Sequence, residues 1–417
     1  MSQSDLLQKS GKHMLMQPSG PLSGVRVLDL TQVLSGPFCT QILGDLGAEI
    51  IKVEPPSGDG TRKWGPPFLD GESAYFLSLN RNKQSIVIDL KKGKEASEVI
   101  KRMSEKCDVF IENFRPGVLR KLGLSYDEIS KRNPRIVYCS ISGYGQTGPL
   151  SRKPGYDLAA FAASGIMSLT GERSGPPVKA GVPVADIGAG MFAAIAICSM
   201  LSSKRVRDGK GCYIDISLYD SMISWLTFQA GSYFATGENP VALGSAHPII
   251  APYQAFKASD RFFILAVGND AQWVRMCKAI QNEKLARDPR FLTNSDRITH
   301  REELESLLSK IFQTRRASYW LRVFDKAGVP CSPINTVEEA LKSRHTSHRK
   351  LIFRLRHPKA GYIRCIATPI KLSCFDQEMM RIRRRPPLLG EHSREILLRF
   401  GFTKSEVTLL TKKFIVQ

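Results

Sequence analysis

Three carboxylates, Asp157, Glu172 and Asp186, lie in one stretch of the chain that is rich in glycine, alanine and serine. Asp157 begins the segment DLAAFAASGIMSL, and Asp186 begins the segment DIGAGMFAAIAICSMLSSKR. Both segments predict helices, and the dipole of a helix keeps a carboxylate at its N-terminus ionised. Each aspartate can therefore either cap its helix or offer a charged oxygen to a ligand.

Glu172 lies in the loop LTGERSGPP, which follows the first of these predicted helices. Glycine and proline interrupt regular structure there, and Ser174 adds a hydroxyl close to the carboxylate. The loop is either the turn that ends a helix or the edge of a ligand site, because binding residues concentrate on loops held by a rigid scaffold.

The elements before this stretch alternate between buried strands and helices. VRVLDL predicts a strand, SGP opens a helix that ends near Gly47, and AEIIKVE predicts the next strand. A strand–helix–strand crossover of this kind implies a parallel sheet, and the alternation continues to residue 145. The pattern predicts an α/β fold, a Rossmann-like, doubly wound parallel sheet.

The pattern changes after residue 229. PYQAFKASDRFFILAVGND predicts a pair of strands, and the amphipathic helices AQWVRMCKAI, REELESLLSKIF and SYWLRVFDKAG follow it. We therefore predict a smaller α+β domain over residues 230–330, inserted into a large domain that spans 21–229 and resumes over 331–417. Residues 1–20 lack the apolar core of a secretory signal and predict a disordered leader, with a weak mitochondrial presequence as the alternative.

Ligands of an open parallel sheet bind outside the carboxyl ends of its strands. One loop predicted there, ENFRPG, offers Asn113 and Arg115, which could meet a phosphate or form a capped turn. The turn after the first strand reads TQVLSGP rather than GxGxxG, so a nicotinamide dinucleotide is not indicated. The helix N-terminus at that turn could still hold a phosphate.

The 417-residue chain carries a formal net charge of +21, which attracts nucleic acid or phosphate-bearing small molecules alike. Because the sequence shows no helix-turn-helix, zinc finger or RNP-like strand, no nucleic-acid partner is predicted. The basic run RIRRR at 381–385 is interpreted as a solvated linker.

Nine cysteines without CxxC spacing predict free thiols in a reducing compartment, and seven unclustered histidines predict no metal site. The stretch IGAGMFAAIAICSML is too short and too rich in glycine and alanine for a confident membrane span. It predicts a buried helix, and no membrane partner is expected.

Ordered blocks from about Pro21 to about Ser393 resemble the class III (CaiB/BaiF) family of CoA-transferases. The resemblance implies that a large Rossmann-like domain is split by a smaller one and that two ring-like chains interlock as a homodimer. It also implies an acyl-CoA and a small carboxylic acid as substrates, with the coenzyme A thioester as substrate and no permanently bound cofactor. The blocks are DLTQVLSGPF, LGDLGAEIIKVEPPSGDGTR, NRNKQSIVIDL, ENFRPGVLRKLGL, CSISGYGQTGP, GYDLAAFAASGIMSLTGE, GPPVKAGVPVAD and PPLLGEHS.

The resemblance also implies binding roles for particular residues. The turn after the first strand would line the pantetheine and acyl site, the ENFRPG loop would contact CoA, and a nearby cation would serve its phosphates. His247 lies in GSAHPIIAPYQAF, which is similar to a loop that closes over the acyl site. The expected substrate- and CoA-binding residues are Gln32, Val33, Leu34, Asn113, Phe114, Lys121, Tyr144, Ser174 and His247.

A class III transferase needs a carboxylate nucleophile that attacks the thioester and forms a mixed anhydride. Ser174 stands where well-known members, with a loop like TGEPDGPP, have an aspartate, and a hydroxyl cannot form that anhydride. Asp186 also matches an acid used by the related acyl-CoA racemases. We therefore expect Asp186 to be the nucleophile, followed by Asp157 and then Glu172.

Two alternatives stay open from the sequence. A 2-methylacyl-CoA racemase is similar but carries a His–Asp pair where this chain has Tyr156 and Asp157, and tyrosine is a poor general base near neutral pH. A non-catalytic acyl-CoA or polyanion-binding protein is the other. For the transferase, succinyl-CoA and small dicarboxylates are the expected substrates, in the cytoplasm or, in a eukaryote, the mitochondrial matrix.

Overall fold

The structure, a computed structural model, describes residues 20–375 and 384–417. The chain forms two compact units: the first contains the residues up to Ser164 with Gly181–Trp225 and Arg349–Gln417, and the second contains Gly165–Ala180 and Leu226–His348. Residues 1–19, the predicted leader, and residues 381–383 of the basic run lie outside the described residues. The domain boundaries expected from the sequence, at 230 and 330, stay predictions.

The first unit is built on a six-stranded sheet in which every neighbouring pair of strands is parallel. The predicted α/β fold with a parallel sheet is therefore confirmed. Val27 and Leu28 are fully buried, as expected for a central strand covered on both faces. In the spatial order β5-β2-β1-β6-β7-β8, the strands are β5 Lys83–Val87, β2 Glu49–Glu54, β1 Arg26–Asp29, β6 Val109–Glu112, β7 Val137–Ser142 and β8 Cys212–Ser217.

The strand order reverses at β1. The chain adds β2 and β5 on one side of it and β6, β7 and β8 on the other. The carboxyl ends of β1 and β6 therefore flank the crevice in which open α/β sheets bind ligands. Thr31 to Leu34 follow the first of these strand ends, and Asn113 follows the second.

The helices of the first unit connect the strands and cover the sheet. Ile100 and Met103 share one buried apolar cluster with Ile51 and Phe110 of the sheet, and the C-terminal segment adds Ile396 to it. The helices are α1 Ser35–Asp45, α2 Ala74–Leu79, α3 Lys94–Ser104, α4 Val118–Lys121, α5 Tyr126–Arg132, α6 Asp157–Ala163, α7 Val184–Ser202, α8 Lys204–Arg207, α9 Leu218–Ser224, α18 Ser393–Arg399 and α19 Lys404–Lys412. Two antiparallel pairs complete the unit: β3 Phe68–Leu69 with β4 Glu72–Ser73, and β12 Ile352–His357 with β13 Gly361–Ile366.

The two small-residue helices differ from their predicted bounds. α6 ends at Ala163 rather than at residue 169, because Gly165 adopts a left-handed conformation with φ +88° and terminates it. α7 begins at Val184, so Asp186 lies in the first turn rather than at the first position.

α7 is long and apolar enough, by length and composition alone, to cross a membrane, with a mean hydropathy of 1.9. Only 39% of its most apolar window is buried, and Ile195 is 59% exposed. The prediction of a buried helix is therefore wrong for one of its faces. The other face packs on α1 and on the β7–β8 edge of the sheet, as a helix layer of an α/β fold does.

The second unit has an antiparallel sheet in the order β11-β10-β9, with Phe263 and Leu265 fully buried in its core. The strand pair and the three amphipathic helices expected from the sequence are confirmed. The strands are β9 Tyr253–Lys257, β10 Phe262–Ala266 and β11 Cys331–Pro333, and the helices are α10 Thr227–Thr236, α11 Asp270–Ala279, α12 Glu283–Arg287, α13 Asn294–Thr299, α14 Arg301–Phe312, α15 Ala317–Lys326, α16 Val337–Lys342 and α17 Arg344–His348.

Candidate active site

A cavity of about 270 Å³ opens in the first unit where β1, β6 and β7 end. The turn after β1, the loop after β6 and the first turn of α7 contribute to its lining. Among the residues expected from the sequence, Gln32, Val33, Asn113, Phe114 and Asp186 line this cavity. The structure thus brings together side chains that are far apart in the chain, at the strand reversal where a ligand site is expected.

The turn after β1 is held by the side chain of Asn113. Its Oδ1 accepts from the backbone N–H of Gln32 at 2.9 Å, and its Nδ2 donates to the carbonyl oxygen of Gln32 at 2.8 Å. The amide therefore makes the same pair of hydrogen bonds that a neighbouring strand would make. Asn113 fixes the height of the turn above the sheet.

Val33 adopts a left-handed conformation with φ 69°. For a β-branched residue this conformation is strained by roughly 1–3 kcal/mol and persists only where the surroundings enforce it. The backbone N–H of Val33 donates to Asp59 Oδ1 at 3.3 Å. The strained residue lies directly in the cavity wall.

Asp186 is the only one of the three candidate carboxylates that lines this cavity. Burial raises its pKa to about 7, the negative charge of Asp157 adds to this effect, and a hydrogen bond from the Ser35 hydroxyl opposes it. A carboxylate that has lost part of its hydration is a stronger nucleophile toward an electrophilic carbonyl. Asp186 is therefore suited to attack a carbonyl carbon held in the cavity.

Asp157 lies beside Asp186 and caps its helix. Asp157 Oδ1 accepts from the backbone N–H groups of Ala185 at 2.8 Å and of Asp186 at 3.2 Å. These are two of the first-turn donors of α7 that have no partner within the helix. The side chain that was expected to cap its own helix caps α7 instead, and it fixes the backbone of Asp186.

Two cations and one phenol add to the electrostatics of the site. Arg115 and Lys153 line the cavity and would attract an anionic ligand. Burial raises the pKa of Tyr75 to about 12, and the charges of Asp186, Asp157 and Asp59 reinforce the shift. The Tyr75 phenol therefore stays protonated at neutral pH.

Three residues expected to bind CoA lie outside the cavity lining. Leu34 is buried at the start of α1, and Lys121 is exposed at the end of α4. Tyr144 is buried, with its ring centroid 6.0 Å from that of Tyr219. Their binding roles stay predictions.

Glu172 and Ser174 lie in the second unit. The Glu172 carboxylate rests against Gly244, where an added Cβ would come within 2.9 Å of Oε2. Gly244 also donates its backbone N–H to the carbonyl oxygen of Gly171 at 2.8 Å. Ser174 has φ 59°, a left-handed turn residue. The LTGERSGPP loop is thus joined to the segment that carries His247.

His247 also belongs to the second unit, and its ring stacks on Phe228 at a centroid distance of 5.4 Å. Its Nδ1 accepts from the backbone N–H of Ile249 at 3.3 Å. Burial lowers the pKa of His247, and the nearby charge of Arg301 lowers it further. His247 is therefore neutral at physiological pH.

Ser35, Lys153 and Tyr75 were not singled out from the sequence. Ser35 carried a signal, because SGP at a strand-to-helix turn places a hydroxyl at a helix N-terminus facing the ligand crevice. Lys153 and Tyr75 carried none, since their loops reach the site only through the tertiary fold. Over residues 20–375 and 384–417, no group of three His, Cys, Asp or Glu side chains could hold a metal ion.

Comparison with known proteins places this geometry in a family. The sequence profile of CoA-transferase family III matches residues 22–393. The succinyl-CoA:glutarate CoA-transferase of Mus musculus is 44% identical over 90% of this chain and 86% of its own length. The acetyl-CoA:oxalate CoA-transferase of Acetobacter aceti is 42% identical over 86% of this chain and 91% of its own.

A solved structure agrees with these sequence matches. The crystal structure of a CaiB/BaiF family protein from Brucella suis superposes with a TM-score of 0.80 at 40% identity, covering 92% of this chain and all of that one. The resemblance seen in the ordered sequence blocks is confirmed. The chain belongs to CoA-transferase family III and is a CoA-transferase.

Proposed function

We propose that the enzyme transfers CoA from succinyl-CoA to glutarate or a similar small dicarboxylate, through an acyl anhydride formed on Asp186. The observation that carries the proposal is the placement of Asp186. It lines the cavity of the first unit, accepts a hydrogen bond from Ser35, and has its backbone fixed by Asp157.

In the first half-reaction, a carboxylate oxygen of Asp186 attacks the thioester carbonyl carbon of the donor. The C–S bond breaks, CoA leaves as the thiolate, and the acyl group remains on Asp186 as a mixed anhydride. The proton on Asp186 must be lost first, because only the carboxylate is nucleophilic. A pKa of about 7 keeps a substantial fraction ionised at neutral pH.

In the second half-reaction, a carboxylate oxygen of the acceptor attacks the Asp186 carbonyl carbon and expels the donor acid. The CoA thiolate then attacks the acceptor carbonyl carbon, and Asp186 leaves as the free carboxylate. One thioester replaces another, so the exchange needs no ATP.

Support for dicarboxylate substrates comes from the relatives and from the charge of the cavity. The Mus musculus relative is named for succinyl-CoA and glutarate, both of which carry a second carboxylate. Arg115 and Lys153 line the cavity of this chain and supply positive charge for such a group or for CoA phosphates.

The racemase alternative lacks a supporting observation. Tyr156 stands beside Asp157 where the racemase resemblance calls for histidine, and its side chain is 70% exposed. A phenol in that position does not accept a proton readily near neutral pH.

The test is to incubate the enzyme with succinyl-CoA and a panel of dicarboxylic acids, and to detect new CoA esters by mass spectrometry. The acyl-enzyme is trapped in parallel with hydroxylamine and the modified residue is mapped. We expect glutaryl-CoA to form and the modification to fall on Asp186. Modification of Asp157 or Glu172 would overturn the assignment of the nucleophile, and deuterium uptake at C2 of a 2-methylacyl-CoA without CoA exchange would replace the transferase by the racemase.

We also propose that the enzyme is a homodimer. The first unit leaves large apolar side chains uncovered on α7 and after α9, including Ile195 at 59%, Met191 at 45% and Trp225 at 40% exposure. Apolar surface of this kind is typical of an interface between chains. Light scattering after size exclusion should give twice the chain mass, and Ile195→Glu should shift the protein toward a monomer.

We propose a reducing compartment, the cytoplasm or the mitochondrial matrix. All nine cysteines are free thiols, and Cys374 is exposed, so an oxidising compartment would leave it open to modification. Imaging of a C-terminal fluorescent fusion in the source cell would decide between these compartments and a secretory location.

A further inference from the structure

The backbone of the turn after β1 is held by side chains at successive positions. The Thr31 carbonyl oxygen accepts from Lys52 Nζ at 2.8 Å, and the Val33 N–H donates to Asp59 Oδ1 at 3.3 Å. Between them, Asn113 holds both backbone groups of Gln32. Two of these contacts therefore come from one pair of side chains, Lys52 and Asp59.

Lys52 and Asp59 form an ion pair that is fully buried. Nζ and Oδ2 lie 2.9 Å apart, and both side chains are 0% exposed. The second oxygen, Oδ1, also accepts from the backbone N–H of Thr61 at 2.9 Å and from its hydroxyl at 2.8 Å. The two oxygens of Asp59 thus have different partners, because Oδ2 meets the ammonium and Oδ1 meets the donors of the two turns.

A pair this deep does not stabilise a fold cheaply. Burial opposes the charge of both groups, yet the pKa of Asp59 is lowered by Lys52 and that of Lys52 is raised by Asp59, so both remain ionised. Apolar residues of similar volume often stabilise a core at least as well as a buried ion pair. The pair therefore needs a further explanation, and the strained residue that it holds offers one.

The turn leads directly to the nucleophile. Val33, with its left-handed φ of 69°, is followed by Leu34 and then by Ser35, the first residue of α1. The Ser35 side chain is buried and donates to the Asp186 carboxylate. The direction of the Ser35 hydroxyl depends on the conformation of Val33, since a change of one φ angle would rotate the chain that follows.

We propose that Lys52 and Asp59 are positioning residues for acyl transfer: they hold Val33 in its strained conformation and so set the Ser35 hydroxyl against the Asp186 carboxylate. This inference rests on the proposed role of Asp186. Neither residue lines the cavity, so they act through the turn and not on the substrate.

Asp59→Asn is the informative substitution. An asparagine has one acceptor oxygen: if that oxygen meets Lys52, the amide NH₂ faces the N–H groups of Val33 and Thr61, and if it meets Val33, the NH₂ faces the ammonium. One contact is lost in either orientation. The double variant Lys52→Met with Asp59→Asn removes the competing ammonium, so the oxygen can turn to Val33 again.

Asp45→Asn is the matched control. Asp45 forms another buried ion pair, with Arg81 at 2.5 Å, and it lies in the last turn of the same helix that Ser35 begins. Asp45 Oδ1 accepts further hydrogen bonds from Arg81 Nε and from Asn82, so its loss is comparable in kind. Its distance along α1 from Ser35 separates it from the turn after β1.

Two readouts separate positioning from a general loss of stability. Hydrogen–deuterium exchange of peptides covering residues 30–36 reports the turn in the absence of any substrate. We expect Asp59→Asn to raise its exchange rate and to lower kcat at least about tenfold, as for the loss of a charged hydrogen bond, with KM for the acyl-CoA changed less. Asp45→Asn should lower the melting temperature without either effect, and the double variant should recover part of kcat.

The inference is overturned if Asp59→Asn leaves exchange at 30–36 unchanged, or if its loss of kcat is matched by Asp45→Asn at an equal loss of melting temperature. Should Asp59→Asn fail to fold, recovery of kcat in the double variant relative to Lys52→Met alone decides the question. A wild-type enzyme without CoA exchange would remove the proposed function, whereas the hydrogen–deuterium exchange would still report whether the pair holds the turn.

Discussion

Asp157 Oδ1 lies 3.2 Å from the backbone nitrogen of Asp186 and accepts its hydrogen bond, so one acid of the site caps the helix that carries the other. The same oxygen accepts from Ala185 at 2.8 Å. Asp157 therefore acts on Asp186 in two opposite ways. It holds the backbone of the nucleophile in place, and its charge raises the pKa of the nucleophile.

Asp157→Asn should separate these two effects. The asparagine oxygen can still cap α7, but the charge is gone, so the pKa of Asp186 should fall from about 7 while burial continues to hold it above its ordinary value. The acid limb of the kcat/KM profile should move to lower pH. Asp157→Ala should shift the limb in the same direction and also destabilise α7 by about 1 kcal/mol, the usual effect of a lost cap.

The pH profile needs one internal control. Glu112 is buried at the end of β6, and burial raises its pKa to about 7 as well. Glu112→Gln should leave the acid limb in place, since Asp157, Ser35 and Tyr75 are the groups whose interactions link them to Asp186, with Arg115 and Lys153 in the same cavity. A limb that moves with Glu112 and not with Asp157 would contradict the assignment.

The fold could be predicted from the sequence because each strand of the sheet has a clear local pattern. VRVLDL and AEIIKVE are short aliphatic runs, bounded by glycine and proline, that are typical of a buried parallel strand. The reversal at β1 then follows from topology, and with it the location of the cavity. The end of α6 was misjudged because alanine-rich helical periodicity continued past Gly165, whose left-handed conformation stops the helix.

The site was only partly predictable. Asp186 could be chosen from the sequence, but its partners could not, because Asp157 caps a helix other than its own and Ser35 reaches Asp186 across two elements. Lys52 lies inside an aliphatic strand, where an isolated lysine gives no sign of its partner at Asp59. Such pairings depend on the distance between elements, which local patterns do not contain.

Asp186→Asn should stabilise the protein at alkaline pH while abolishing transfer. The folded-state pKa of about 7 lies above the ordinary value of 3.8. The folded state therefore holds the proton more tightly, and stability is lost as the pH rises from about 4 through about 7. Above that range wild type bears the cost of a buried charge, which the amide avoids.

The melting temperature of Asp186→Asn should therefore exceed that of wild type at pH 8 by a few degrees, on the scale of about 2–4 °C per kcal/mol. The difference should shrink below pH 5, where wild type is protonated too. Glu112 titrates in both proteins and cancels from the comparison. Equal melting temperatures at both pH values would show that Asp186 is not strained by its charge.

Ser35→Ala should move the acid limb in the direction opposite to Asp157→Asn. The hydroxyl favours the ionised form of Asp186, so its removal should raise the pKa further and reduce the active fraction at neutral pH. Ser97→Ala is the control, because Ser97 is a buried helix serine whose hydroxyl has no hydrogen-bond partner among the residues described. An unchanged pH profile in Ser35→Ala would remove the hydroxyl from the mechanism.

Gly190→Ala should impair catalysis through the distance between two helices. Gly190 lies one turn after Asp186 on α7, and an added Cβ would come within 2.5 Å of the Ser35 carbonyl oxygen. Because that atom is backbone, α7 must move away from α1, and the Ser35–Asp186 contact must lengthen. We expect a destabilisation of about 1–3 kcal/mol, as for an overpacked core, together with a loss of kcat.

Gly188→Ala provides the comparison within the same helix. Its added Cβ would meet the side chains of Trp225 at 2.9 Å and Met222 at 3.2 Å, which can shift without moving α1. Measurement of kcat and melting temperature for both variants separates packing from alignment. Gly190→Ala should lose more kcat than Gly188→Ala at a similar loss of melting temperature, because only the former acts on the two residues that must meet. Equal losses of kcat would mean that the separation of α1 and α7 does not set the activity of Asp186.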